Sequence, residues 1–121
     1  MIEDLEFYAH YHLNKNRPLF DDITKEIAKE FKTNKKTIIS GKRTGKIVIC
    51  RNFVIHFIYK FLKPKIKNEN LIYKVLAQYL ERNHLTIRYH QLNALHLIKN
   101  DPEYIELNII LNLKFQTNDI I

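Results

Sequence analysis

Between Lys46 and Leu62 the chain reads KIVICRNFVIHFIYKFL, a segment with almost no polar side. Ile47, Val48, Phe53, Val54, Phe57, Ile58, Phe61 and Leu62 cover more than half the circumference of a helix wound through them. Such a helix is stable in water only when neighbours pack on several sides, so the segment predicts the central rod of a helical bundle. Pro64 ends it, because proline has no N–H with which to continue the ladder. Only two Gly and three Pro in 121 residues argue the same way, against a turn-rich β protein. Ile47-Val48-Ile49 and Ile109-Ile110-Leu111 would suit strands in isolation, but both lie inside longer helical periods. The expectation is one all-α domain spanning residues 1–121, a compact bundle of about six or seven helices around a single core.

The rod needs partners, and the flanking periodicities supply them. Ile2, Leu5, Tyr8 and Leu13 predict an N-terminal helix over residues 1–13, and the polar run Asn14 to Pro18 predicts a break. Asp21 or Asp22 then starts a helix whose inner face is Ile23, Ile27, Ala28 and Phe31; acids there suit the positive end of the helix dipole. Thr33-Asn34 begins a short turn of helix through Ile38 and Ile39, ended by Ser40-Gly41. After the rod, Asn100-Asp101-Pro102-Glu103 is a strong helix start, with Ile105, Ile109 and Leu113, joined by Leu107 and Ile110, as the apolar positions of a final helix over residues 102–115. Residues 116–121 are expected to fray.

The stretch from Asn70 to Leu97 divides into two helical patterns around a polar break. Ile72, Val75, Leu76 and Tyr79 form one apolar face, with Asn70 as the expected N-cap. Glu81-Arg82-Asn83 interrupts, and Asn83 is placed to cap the second helix. In that second pattern Ile87, Ala94 and Ile98 lie on one side with Gln91, while His84, Thr86 and Arg88 put polar groups near the start. Two short helices meeting at a tight turn, the second opening with donors and acceptors, describe a helix-turn-helix.

Arg82-Asn83-His84-Leu85-Thr86-Ile87 resembles the arginine-aspartate-histidine-threonine-threonine-valine signature in the C-terminal DNA-binding domain of the DnaA-type replication initiators. Ile72, Val75 and Tyr79 fall where that family has large apolar residues, and the resemblance runs upstream through Ile23–Phe31, the basic run after Ser40, and Arg51-Asn52. It covers roughly residues 20 to 99. The family's glycine pair is Leu80-Glu81 here, its aspartate is Asn83, and its first threonine is Leu85. The resemblance implies a Trp-repressor-like helix-turn-helix that binds double-stranded DNA, with the second helix in the major groove. It implies that Arg51 and Asn52 enter the minor groove beside the basic loop, and that Arg82, Asn83, His84, Leu85, Thr86 and Arg88 supply contacts. No ATPase module of the kind the full-length initiators carry is expected within the 121 residues.

Charge is unevenly placed. Residues 14–68 carry fifteen basic and four acidic side chains, residues 1–13 three acidic and no basic, and residues 69–121 five basic and six acidic. A basic middle between acidic or neutral flanks predicts a polyanion-binding surface. Its sharpest part is Gly41-Lys42-Arg43-Thr44-Gly45-Lys46, where Lys42, Arg43 and Lys46 can approach phosphates on a glycine-bracketed loop. The loop is not a nucleotide-binding P-loop: the spacing is short, and Ile follows the Lys where a magnesium-holding hydroxyl is needed.

Enzymatic signals are absent from the sequence. None of the histidines makes the i, i+4 pair of a helical zinc site, and no Ser or Cys has nucleophile context. Cys50 is alone, which excludes an internal disulfide and suits a reducing cytoplasm, with burial as its expected role. No apolar run approaches the roughly 20 residues of a membrane span, and no secretory signal is expected. The sequence thus points to a binding module with no metal, no cofactor and no nucleotide, whose partner is duplex DNA. The alternative is a structural or assembly protein, of phage or mobile-element type, that uses the same fold for protein contacts.

Overall fold

The computed structural model describes residues 2–40 and 44–117, and among them every regular element is helical. Six helices come in order: α1 (Ile2–Glu30), α2 (Lys35–Ile39), α3 (Gly45–Leu62), α4 (Glu69–Leu80), α5 (His84–Asn100) and α6 (Pro102–Thr117). Among them no helix is long and apolar enough to cross a membrane. The rod expected at Lys46–Leu62 is α3, which packs against α1, α2, α4 and α5. Cys50, Phe53, Val54, Ile55, Phe57, Ile58 and Leu62 are fully buried along it. Burial pushes the Cys50 thiol up to about 12, so it is a protonated, packed side chain at neutral pH.

The break expected at Asn14–Pro18 is not there: α1 is one helix of 29 residues with Pro18 inside it. The reason lies in which side those residues face. Asn14, Lys15, Arg17 and Pro18 are exposed, while Ala9, Leu13, Phe20, Ile23, Ile27 and Phe31 form an unbroken buried stripe. Leu13 and Phe20 are seven residues apart, two turns of helix, so the stripe passes under the polar run without a gap. Packing on α4 outweighs the backbone bond that Pro18 cannot make.

Asp21 and Asp22 therefore sit in mid-helix instead of starting one. Asp21 clasps three elements: it accepts from the Tyr79 hydroxyl of α4 (2.7 Å) and from Lys35 of α2 (2.7 Å). Thr24 Oγ1 lies 2.8 Å from the same hydroxyl. Partial burial opposes ionisation of Asp21, but the Lys35 and Tyr79 hydrogen bonds outweigh it and hold the carboxyl below its usual range.

Two further expectations change. The N-cap of α4 is Asn68, which accepts from the N–H groups of Asn70 and Leu71, so Asn70 lies in the first turn. In α6 the stripe Ile105, Ile109, Ile110 and Leu113 faces outward, while Leu111 and Phe115 are buried and Tyr104 and Leu107 pack against the core. Phe115 meets Phe57 edge-on at 5.0 Å between ring centres, and Lys114 bridges to Glu26 at 2.9 Å, which fixes the rotation of the helix. Both sides of α6 are apolar, so period alone does not select the inner one.

Candidate nucleic-acid interface

α4 and α5 meet through Glu81, Arg82 and Asn83. Glu81 adopts a left-handed conformation (φ 55°, ψ 48°), and its N–H and that of Arg82 both bond back to the Ala77 carbonyl, closing α4. A non-glycine residue in this region is strained. Asn83 then caps α5, its side-chain oxygen accepting from the Leu85 N–H at 2.8 Å. Ile87, Gln91 and Ala94 are buried beneath α5, and His84, Leu85, Thr86 and Arg88 are exposed at its start.

The root of the basic loop is fastened to this turn. The Arg82 guanidinium donates to the Ser40 carbonyl, and Arg51 Nη2 donates to the same oxygen at 3.1 Å. Arg51 Nε also donates to the Ile38 carbonyl at 2.8 Å. Residues 40, 51 and 82, distant in sequence, thus converge at the point where the chain enters the loop. Lys42 and Arg43 themselves lie outside the described residues.

Arg51 and Asn52 differ from the expectation of groove contacts. Arg51 is only 3% exposed and ties α2 to α3. Burial and then the neighbouring Arg82 lower its pKa, and it stays charged because an arginine starts so high. Asn52 is fully buried. Neither of its amide atoms, nor Gln91 Oε1 or His56 Nδ1, has a hydrogen-bond partner among the described residues. Both α3 residues that resemble minor-groove readers are interior groups, because α3 is covered on several sides.

The other cations are grouped differently. Lys46 is exposed in the first turn of α3 and borders a groove of about 550 Å³ shared with Glu30, Glu103 and Glu106. At the start of α5, a hollow of about 320 Å³ is lined by Arg82, Asn83 and His84 together with Glu81, and by Glu6 from α1. Glu6 is held by Lys74 at 2.7 Å and by Gln78, and those bonds keep its carboxyl below the usual range. Behind the site, His90 is half-buried; burial, then Arg51 and Arg82, lower its pKa.

Three participants were not anticipated from the residues. Glu6 gave no signal, since it lies outside the resemblance and reaches the turn only through tertiary packing. Tyr89 and Leu92 did carry one: they sit four and seven residues after Leu85, opposite the Ile87, Gln91 and Ala94 face. Leu85, Tyr89 and Leu92 are 68%, 72% and 56% exposed, so Leu85 is not a core residue. Among the described residues, no group of three or more His, Cys, Asp or Glu side chains is arranged to hold a metal ion. No protein-family model matches the chain, and no curated protein or solved structure matches it either.

Proposed function

We propose that this chain binds double-stranded DNA as a DnaA-like helix-turn-helix module, a binding protein and not an enzyme, working in the cytoplasm of a bacterial or phage-infected cell. The observation that carries the reading is the convergence of Arg51 and Arg82 on the Ser40 carbonyl, which joins the start of the basic loop to the turn before α5. A loop that neutralises phosphates and a helix that reads base edges are useful together only if held in one register. In this reading Lys42, Arg43 and Lys46 meet the backbone and minor groove, and His84, Leu85, Thr86 and Arg88 face the major groove. Arg51 acts from inside, as the brace that positions the loop. Asn83 contributes its amide NH2, because its carbonyl oxygen is used by the cap.

The test is a salt titration with random-sequence duplexes. A linear fall of log K against log salt is expected, at about 0.9 per phosphate contacted. Replacing Lys42 and Arg43 with Ala should make the slope shallower and weaken all duplexes alike. Binding that ignores salt, or none at low salt, overturns the reading. The assembly-protein alternative has one observation in its favour, the exposed Ile105, Ile109 and Ile110 of α6. Under that reading, association would depend on protein concentration and not on DNA.

A further inference from the structure

We propose that α5 selects its target by apolar contact with thymine methyl groups, through Leu85, Tyr89 and Leu92, so that the preferred duplex is rich in A·T pairs at the positions this stripe covers. The inference rests on the DNA-binding reading and concerns how the same helix discriminates.

The spacing of four and then three residues places the three side chains on one line along α5, opposite its buried face. Their exposure means that the fold does not use them. Their surroundings decide what does. Glu6 and Glu81 border the first turn of α5, but its own 17 residues hold no Asp or Glu, while Arg88 and Lys99 supply positive charge and His84, Thr86 and Asn93 supply donors. An apolar line in an acid-free, cationic helix suits a partner that is anionic outside and apolar at one defined point. The major groove is such a surface: phosphates border it, and its one apolar marker is the thymine C5 methyl.

Hydrogen-bond readout has few carriers here. Bidentate recognition of guanine needs Arg or Lys, and the exposed stripe offers only Arg88 beside it. Asn83, the natural partner for adenine, already spends its carbonyl on the cap. What remains in line is hydrocarbon and one phenol ring. Leu85 and Leu92 are seven residues apart, roughly 10 Å along the helix. At about 3.4 Å per base pair that distance spans three or so steps. The expected signature is thus a short run in which thymines recur.

The experiment replaces thymine with deoxyuridine, which keeps every hydrogen-bonding group and removes only the methyl. The full-length chain first selects a preferred duplex from a random pool. Its affinity is then measured for that duplex and for the counterpart with deoxyuridine in place of each thymine, at matched salt. Each contacted methyl should be worth about four-fold, the transfer value of one buried CH2-sized group. A triple variant, L85A/Y89A/L92A, should lose the distinction between the two duplexes while keeping the salt slope and the thermal midpoint. Equal affinity of wild type for both duplexes, with salt-dependent binding intact, overturns the inference and leaves DNA binding standing. Salt-dependent binding with no preferred site overturns it too. Absence of salt-dependent binding to any duplex overturns both, and self-association abolished by the same triple variant would identify the stripe as a protein contact.

Discussion

α3 and α5 pack side by side but use their residues in opposite ways. Ten of the 18 residues of α3 are buried, against three of the 17 in α5. The contrast reaches the polar residues. Arg51 and Asn52 on α3 are expected at a DNA groove, yet one braces backbone carbonyls and the other sits wholly inside. His84, Thr86 and Arg88 on α5 are expected at the same partner, and they are exposed. A residue type shows which chemistry is possible; the exposure of its helix decides whether a partner can reach it.

The strongest way to break this contrast is to truncate one apolar residue on each helix. Phe57→Ala on α3 removes a fully buried ring that packs against Phe115, and should cost about 3–5 kcal/mol. Leu85→Ala on α5 removes an exposed side chain and should change stability by no more than about 0.5 kcal/mol. Urea denaturation of the two variants checks both. Similar midpoints would mean that α3 is not the centre of the core.

These differences were legible in unequal measure. The core role of α3 could be read directly, because its apolar residues cover more than half of its circumference. The turn at residues 81–83 was legible for a similar reason, as a polar interruption between two periodic segments. The continuity of α1 was not, since the residues from Asn14 to Pro18 that looked like a break are the solvent side of a stripe spaced two turns apart. Nor was the inner face of α6, where apolar residues lie on both sides and the choice is made by Phe115 and Lys114 meeting partners far away in sequence. The burial of Arg51 had no sequence signal either: an arginine does not announce that its donors will find carbonyls at residues 38 and 40.

A second test sharpens the contrast through protons. Burial, and then nearby Lys60, push His56 on α3 down to about 4, so the folded protein holds it neutral where the unfolded chain would charge it at about 6.5. Its contribution is therefore fully present above about pH 6.5 and is lost as pH falls toward 4. The limit is about 3 kcal/mol for a shift of this size. His56→Phe should flatten most of the stability profile in that window. The remaining slope belongs to His12 and His90, which are lowered in the same direction. Below the ordinary carboxylate range the variant should still lose stability, because Asp21 and Glu26 are held low and must take up protons. An unchanged profile between pH 6.5 and 4 would place His56 in water.

Arg51 tests whether a resemblance by position or burial in the fold governs its role. Arg51→Met keeps the aliphatic stem but leaves the Ile38 and Ser40 carbonyls without this donor, which should cost about 2–3 kcal/mol of stability. Because the side chain is buried, the salt slope of DNA binding should fall by less than one phosphate contact. A groove-inserting arginine would behave in reverse, with stability unchanged and affinity reduced. Thermal denaturation and the salt titration, run on the same variant, separate the two outcomes.

A smaller effect than that of Arg51 is expected where α4 hands over to α5. Glu81 is exposed and sits at φ 55°, a conformation in which a Cβ crowds the backbone and glycine does not. Glu81→Gly removes that strain, while glycine's greater freedom in the unfolded chain works against the gain. The left-handed penalty of roughly 1–2 kcal/mol exceeds the glycine entropy cost of about 0.5–1 kcal/mol, so a net stabilisation of about 0.5–1 kcal/mol is expected. The same change removes a carboxylate from the hollow lined by Arg82, Asn83 and His84, so affinity for duplex DNA at low salt should rise along with stability. Glu81→Gln isolates the second effect, since it removes the charge and keeps the Cβ. If Glu81→Gln raises affinity without raising the melting temperature, while Glu81→Gly raises both, the strain belongs to the turn and the charge to the surface that α5 presents. A glutamine variant that changes neither would show that this edge of α5 does not face a polyanion.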